Sequence, residues 1–369
     1  MRGLRRSSPG DEANREARQM APGRRLVAAG ILALLVPALL GLWHLRAPLF
    51  LVHHAPEIFE ARAGAFSANI TGERSWRTEA LSWRLDGGPP QPLAVWPPRV
   101  PWPQFVVEIP ATMLLPGDHV LVVEATAPLR PRQIWEHRFR YDPRHPSGPV
   151  VRSWQPAEPL DVQDGHFQRI RRGDGSFWVR PVPGREGWDR TLVVTGAFVG
   201  ARRVETRLIF RYPTVDHGRF GFGMFPLWGG RPDVGHRPAR GWRFAILWYW
   251  GDLPGLQLGF SERVGDAPPV DGPRSWPFLF EPGRIYRLIA EVWPAADGRW
   301  RLRARVHPED EPASVGWFVA EDDNGLFAAD EPLGVPLFAH RSQVEFGETR
   351  VTPLAPPWPA DPQAPWPNG

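Results

Sequence analysis

The sequence predicts an all-β protein behind a single N-terminal apolar helix. Short runs of alternating apolar and polar residues recur from about residue 59 onward, separated by Gly, Pro and Asp turn signals. The 45 prolines and 37 glycines are spread along the chain and disfavour long helices. The exception is Leu26–Leu45, about twenty residues without a formally charged side chain, long enough to cross a bilayer as a helix.

That apolar run sets the expected topology. Arg2, Arg5, Arg6, Arg15, Arg18, Arg24 and Arg25 outnumber Asp11, Glu12 and Glu16 before it, so residues 1–25 are expected to be a cytoplasmic tail and 26–45 a transmembrane anchor. The remainder would be periplasmic or extracellular. Pro37 is tolerable in a membrane helix, and Trp43 with His44 sits where an interfacial belt belongs. A cleaved signal fits less well, because no A-x-A pattern closes the run and Ala47-Pro48 and Ala55-Pro56 place proline at the cut.

Composition narrows the functional classes. The 369-residue chain has no cysteine, so outward-facing domains must be held by packing alone. All 44 basic residues are arginine and the net charge is only +4, which reads as the codon bias of a GC-rich bacterial genome. Because the arginines are interleaved with Asp and Glu, nucleic acid is not an expected partner. The 19 tryptophans and 20 phenylalanines, against 4 tyrosines, suit sandwich cores and can stack on sugar rings.

Residues 46–142 read as a first sandwich. Leu81–Leu85 alternates into the turn Asp86-Gly87-Gly88-Pro89; Phe105–Ile109 is a second run, and Pro116-Gly117-Asp118 turns into a third at 119–125. Gly117-x-His119-x-Leu121-x-Val123-x-Ala125 resembles the penultimate hairpin of bacterial immunoglobulin-like domains, with Ile134–Tyr141 as the closing strand. The resemblance implies an immunoglobulin-like spacer. Asn69-Ile70-Thr71 is a glycosylation sequon, read as chance in a bacterial chain.

Residues 143–159, proline-rich and without periodicity, read as a linker. Residues 160–354 then offer strands at Thr191–Phe198, Val204–Arg211, Phe220–Phe225, Trp242–Trp250, Leu256–Phe260, Ile285–Trp293, Trp300–Val306 and Val344–Val351. Turns at Asp216-His217-Gly218, Gly229-Gly230-Arg231-Pro232, Gly251-Asp252 and Asp297-Gly298 separate several of them, and a jelly-roll sandwich is the economical solution. Trp188-Asp189, Phe198 before Val204-Glu205-Thr206, Gly283–Arg287, Glu311-Pro312 before Trp317, and Val344–Gly347 before Val351 follow in an order that resembles bacterial concanavalin A-like lectin/glucanase domains of the laminin G-like type. The resemblance implies a two-sheet jelly roll whose concave face commonly binds carbohydrate. Residues 355–369, repeating Pro-Trp-Pro, are expected to be extended or disordered.

Catalytic patterns are missing from the sequence. The glucanases of that resemblance use E-x-D-x-x-E or E-x-D-x-E, which puts two carboxylates on one strand face as retaining chemistry requires. Neither pattern occurs, and Glu205 is followed by Arg207, whose charge would lower a carboxylate pKa rather than raise it. No G-x-S-x-G, H-E-x-x-H, phosphate loop or dinucleotide fingerprint is present. His53-His54 is the only adjacent histidine pair, and neighbours on an extended chain point apart, so no metal role is assigned. The turn Glu321-Asp322-Asp323-Asn324-Gly325 has the oxygen ligands for calcium, the only cofactor the sequence suggests.

Strand parity suggests a site. On Trp242–Trp250, parity reads Phe244, Ile246, Trp248 and Trp250 as core, with Arg243 and Tyr249 opposite. Val204, Leu208 and Phe210 read as inward, against Glu205, Arg207 and Arg211; Leu256 and Leu258 oppose Gln257. The expected ligand-binding set is Glu205, Arg207, Arg243, Tyr249 and Gln257 on one sheet, rimmed by Trp228 and Asp233. The sequence thus points to a membrane-anchored envelope protein that binds carbohydrate or an envelope polymer without catalysis. The alternatives are a glycan hydrolase or lyase with an unrecognised site, and a structural or assembly protein with a protein partner.

Overall fold

Alternation along the chain resolves into two β-sandwiches in the computed structural model. The structure describes Ala33, Leu35, Val36, Gln363 and residues 46–359, except 61–66, 94–103, 144–147, 185–188, 215–219, 233–240, 252–254, 265–273 and 314–315. Met1–Pro48 and Leu49–Gly369 are separate compact units. The expected tail 1–25 lies outside the described residues. So does the expected anchor 26–45, apart from Ala33, Leu35 and Val36, which are helical and exposed. Among the described residues no helix is long and apolar enough to cross a membrane.

The first sandwich uses β1 (Phe50–His54), β2 (Ile58–Glu60), β3 (Ser67–Arg74), β4 (Ala80–Leu85), β5 (Gln91–Pro92), β6 (Gln104–Pro110), β7 (Gly117–Thr126) and β8 (Gln133–Asp142). They form two sheets, ordered β1-β3-β6 and β2-β8-β7-β4-β5. The hairpin read from sequence is present, with Gly117 opposite Tyr141 and Ala125 opposite Gln133. Alternate residues of both sheets, among them Phe50, Ile70, Phe105, Leu121, Val123 and Phe139, meet in one core.

Where the structure describes it, the expected linker 143–159 contributes to the second sandwich. Within 143–159, β9 (Val150–Arg152) pairs with the last strand of the chain, and Trp154 is fully buried with its indole N–H donating to the Gly347 carbonyl at 2.6 Å. Next come β10 (Asp161–Asp164), β11 (Phe167–Arg171), β12 (Phe177–Pro181), β13 (Asp189–Phe198), β14 (Arg202–Pro213), β15 (Gly221–Trp228), β16 (Trp242–Trp250) and β17 (Gly255–Arg263). The last are β18 (Arg274–Pro277), β19 (Ile285–Pro294), β20 (Trp300–Pro308), β21 (Phe318–Glu321), β22 (Leu333–His340) and β23 (Ser342–Pro353). A seven-stranded sheet runs β10-β13-β22-β15-β16-β17-β18, and an eight-stranded sheet runs β11-β12-β23-β14-β19-β20-β21. One continuous core between them takes Leu192, Leu208, Phe222, Leu247, Leu288, Leu302, Leu337 and Phe346. Burying each such side chain contributes about 1.5–3 kcal/mol.

The two sandwiches touch where β3 lies beside β10. Asn69 Nδ2 donates to the Gln163 carbonyl at 2.8 Å and Thr71 Oγ1 to that of Gly165 at 3.1 Å. The sequon asparagine is only 6% exposed, so it serves this junction. Beyond β23, Gln363 exchanges hydrogen bonds with the Trp317 backbone, so the expected loose tail is tied back at that point.

Candidate ligand-binding face

The outward surface of the seven-stranded sheet is aromatic. Across β22, β15, β16 and β17 one row runs His340, Gly221, Trp250, Gly255, and the next runs Phe338, Gly223, Trp248, Gln257. Farther along, Trp228 pairs with Phe244, which pairs with Ser261. Phe225, Trp228, Phe244, Ile246 and Phe338 pack with Val193 into a second apolar cluster, separate from the inter-sheet core, and Trp242 and Trp248 lean on it half-buried.

Two glycines make room for the rings. A Cβ at Gly221 would lie 2.7 Å from the Trp250 ring, and one at Gly223 would lie 2.2 Å from the Leu247 carbonyl. With no side chains there, Trp248 and Trp250 stack 4.7 Å apart across β15. Trp250 continues to His340 at 5.6 Å and Trp248 to Phe338 at 5.6 Å. Polar groups hold the edges: Trp248 Nε1 donates to Gln257 Oε1 at 2.6 Å, and Trp242 Nε1 to Ser261 Oγ at 3.2 Å. The Arg263 guanidinium lies 5.2 Å over the Trp242 ring.

The residues expected to share one sheet are divided between two. Glu205 and Arg207 sit on β14 in the eight-stranded sheet, whereas Trp228, Arg243, Tyr249 and Gln257 sit on β15, β16 and β17 in the seven-stranded one. Parity on β16 is the reverse of the expectation. Ala245, Leu247 and Tyr249 face the inter-sheet core, while Phe244, Ile246 and Trp248 face outward. Tyr249 is 4% exposed and wedged against Phe222 and Phe280, and burial pushes its phenol pKa up. Arg243 lies over Phe327 and pairs with Glu331. Asp233 lies outside the described residues. Trp228 and Gln257 do belong to the aromatic face; Trp242, Trp248, Trp250, Phe338 and His340 are the members that parity misassigned or overlooked.

Glu205 and Arg207 instead join a ladder of ion pairs. Arg287 bridges Glu205 and Glu309, each at 3.0 Å, and Arg207 reaches Glu309 at 2.7 Å. The Glu321–Gly325 turn does not form a cation cage. Asp322 is fully buried and its Oδ2 accepts the Leu326 N–H at 2.7 Å, while Asp323 faces Arg299. Burial pushes the Asp322 carboxyl pKa up, against backbone N–H groups of the same turn that lower it. Among the described residues no three His, Asp or Glu are arranged to hold a metal.

No family model matches the chain, and no curated protein does. Solved structures similar to it include the PL-14 alginate lyase from Aplysia kurodai, at 11% identity over 52% of this chain and 87% of that one, TM-score 0.34. The exoplasmic/lumenal domain of VIP36 in its Ca2+/Man2-bound form matches at 11% identity over 58% and 90%, TM-score 0.36. The metal-free Emp46p carbohydrate recognition domain matches at 11% over 51% and 88%, TM-score 0.32.

Proposed function

We propose that this protein binds carbohydrate on the outer face of its seven-stranded sheet, at the Trp248–Trp250 pair. The carrying observation is that these two stacked indoles stay half-buried, with Gln257 fixed beside them by Trp248 Nε1. Flat apolar rings meet the C–H face of a pyranose, and a side-chain amide orients hydroxyl groups. Binding rather than hydrolysis is supported by the outward positions of β15, β16, β17 and β22, which carry no carboxylate. Retaining cleavage needs two carboxylates about 5 Å apart.

In this reading the first sandwich is an immunoglobulin-like spacer, and the apolar run at 26–45 anchors the chain in a bacterial membrane with residues 46–369 outside. The ligand is then a saccharide of the envelope. A glycan array followed by calorimetric titration of the best ligand tests it. Trp248→Ala and Trp250→Ala are each expected to weaken binding about tenfold or more, with unchanged circular dichroism. Glycan binding that survives both substitutions would place the ligand elsewhere, and turnover of the bound glycan would replace the binding role with an enzymatic one.

A further inference from the structure

The eight-stranded sheet presents charged side chains where the other presents rings. Its outward face alternates charge along β14, and most charges there are matched. Arg203 reaches Glu205 at 3.1 Å and Glu291 at 3.3 Å, and Arg303 reaches Glu291 at 2.6 Å. Toward Arg211 the balance fails. The Glu345 carboxylate, 3% exposed, holds Arg211 through Nε at 3.0 Å and Nη2 at 3.1 Å, Arg172 at 2.7 Å and Arg180 at 3.6 Å. One carboxylate therefore faces three guanidinium groups.

A cavity of about 330 Å³ opens beside them, lined by Arg172, Asp174, Trp178, Arg207 and Arg211 over a floor that includes Ile209. Three arginines oppose one aspartate, and Asp174 already accepts the Ser176 N–H at 2.9 Å and its hydroxyl at 2.7 Å. The cations are held in place by their neighbours. Arg172 and Arg207 lie over the buried Trp178 indole, at 5.0 and 5.1 Å, while Glu345 clamps Arg172 and Arg211 and Glu309 clamps Arg207. Gly173 and Gly283 add no side chain to the lining, and Gly283 takes φ +87°, a conformation that a larger residue would resist.

We infer that this cavity is an oxyanion site, taking the carboxylate, sulfate or phosphate group of a ligand. Glu345 and Glu309 occupy the Nε and Nη2 donors of Arg211 and Arg207, which leaves the Nη1 groups and the rest of Arg172 to donate to the anion, and holding these cations in advance lowers the ordering cost of binding. The site lies on the opposite sheet from the tryptophan pair and does not depend on the carbohydrate reading.

The test titrates inorganic phosphate, sulfate and glucuronate into the full chain by calorimetry at low ionic strength, with glucose as the uncharged control. At least one anion is expected to bind where glucose does not, and Arg172→Gln and Arg211→Gln are each expected to weaken it about tenfold. Arg172→Gln leaves Glu345 paired with Arg211 and Arg180, so an unchanged melting curve separates lost binding from lost fold. Trp248→Ala should leave anion binding intact. Preference for glucuronate would identify a uronate-bearing sugar, and preference for phosphate or sulfate an ester. Heats no different from glucose, or variants that bind like the parent, would overturn the site.

Discussion

His53 and His166 lie face to face, with ring centroids 3.9 Å apart and planes 6° from parallel. His54 meets the same His166 ring edge-on at 5.2 Å. Neighbours on a strand normally point apart, but the register of β1 against β3 shifts between Val52 and His54, and this bulge turns both imidazoles toward one partner. Three histidines thus gather where the two sandwiches touch, with the buried Glu73 3.4 Å from His53 and Arg169 beside His54.

Acid should loosen this junction. Burial first, then the charges of His166, His53 and Arg169, push the His54 pKa down to about 3, and its Nε2 accepts the Phe167 N–H, which requires the unprotonated ring. An unfolded chain takes up this proton near pH 6.5 and the folded one does not, so the stabilisation is complete above 6.5 and declines as pH falls toward 3. The slope from this group is about 1.4 kcal/mol per pH unit. Urea unfolding at pH 7.5 and pH 5 should show the lower stability at pH 5, and His54→Gln should flatten the difference. A parent protein equally stable at both values would disprove the coupling.

Glu345 and Glu205 offer a contrast between buried and exposed charge. Glu345, 3% exposed, is the one carboxylate among Arg172, Arg180 and Arg211, which are 27–32% exposed; Glu345→Gln removes their shared charge-assisted hydrogen bonds and lets the guanidinium groups regain part of their hydration, at an expected cost of about 2–3 kcal/mol. Glu205 is 27% exposed, its partners Arg203 and Arg287 reach solvent, and Arg287 keeps Glu309. Glu205→Gln is expected to cost about 1 kcal/mol or less. Chemical denaturation of the two variants measures the difference directly, and similar losses would refute it.

Which parts of this architecture alternation reveals depends on what covers each strand. On β14, Val204, Leu208 and Phe210 face a core while Glu205, Arg207 and Arg211 face water, so period two appears in the residues themselves. On β16 both faces are apolar, because Phe244, Ile246 and Trp248 join a second cluster. The single arginine at its start curls aside to Glu331, so parity read from polarity came out reversed. β22 shows no pattern, since it is buried along its whole length and carries Gly334 and Pro336 inside a central strand. Both neighbouring strands shift register near that proline, which cannot donate to the ladder. Sheet membership was equally hidden. Glu205 and Gln257 each face outward, but long-range pairing alone decides that they lie on opposite sheets.

Gly223 should tolerate no side chain. A Cβ there would sit 2.2 Å from the Leu247 carbonyl and 2.6 Å from Trp248 Cα, both backbone atoms with little freedom to retreat. Gly223→Ala is expected to destabilise by about 1–3 kcal/mol and, by lifting Trp248 away from Gln257, to weaken glycan binding as well. Thermal melting together with calorimetric titration of the glycan checks both consequences.

Tyr249 separates a structural role from a ligand-binding one. It pairs with Leu256 across β17, and its ring packs against Phe222 and Phe280 in the inter-sheet core. A phenol that contacted sugar would be missed in Tyr249→Phe, whereas a ring that only fills the core would not. Tyr249→Phe keeps the volume and is therefore expected to bind glycan like the parent, with stability within about 1.5 kcal/mol. Tyr249→Ala opens a cavity beneath Trp248 and Trp250 and is expected to cost about 3–5 kcal/mol. Because Trp248 and Trp250 stand on the same strand as Tyr249, the alanine variant should also lose affinity through the disturbed sheet. Full affinity in Tyr249→Phe with reduced affinity in Trp248→Ala would assign recognition to the outer face of β16, and a loss in Tyr249→Phe would return the tyrosine to the site.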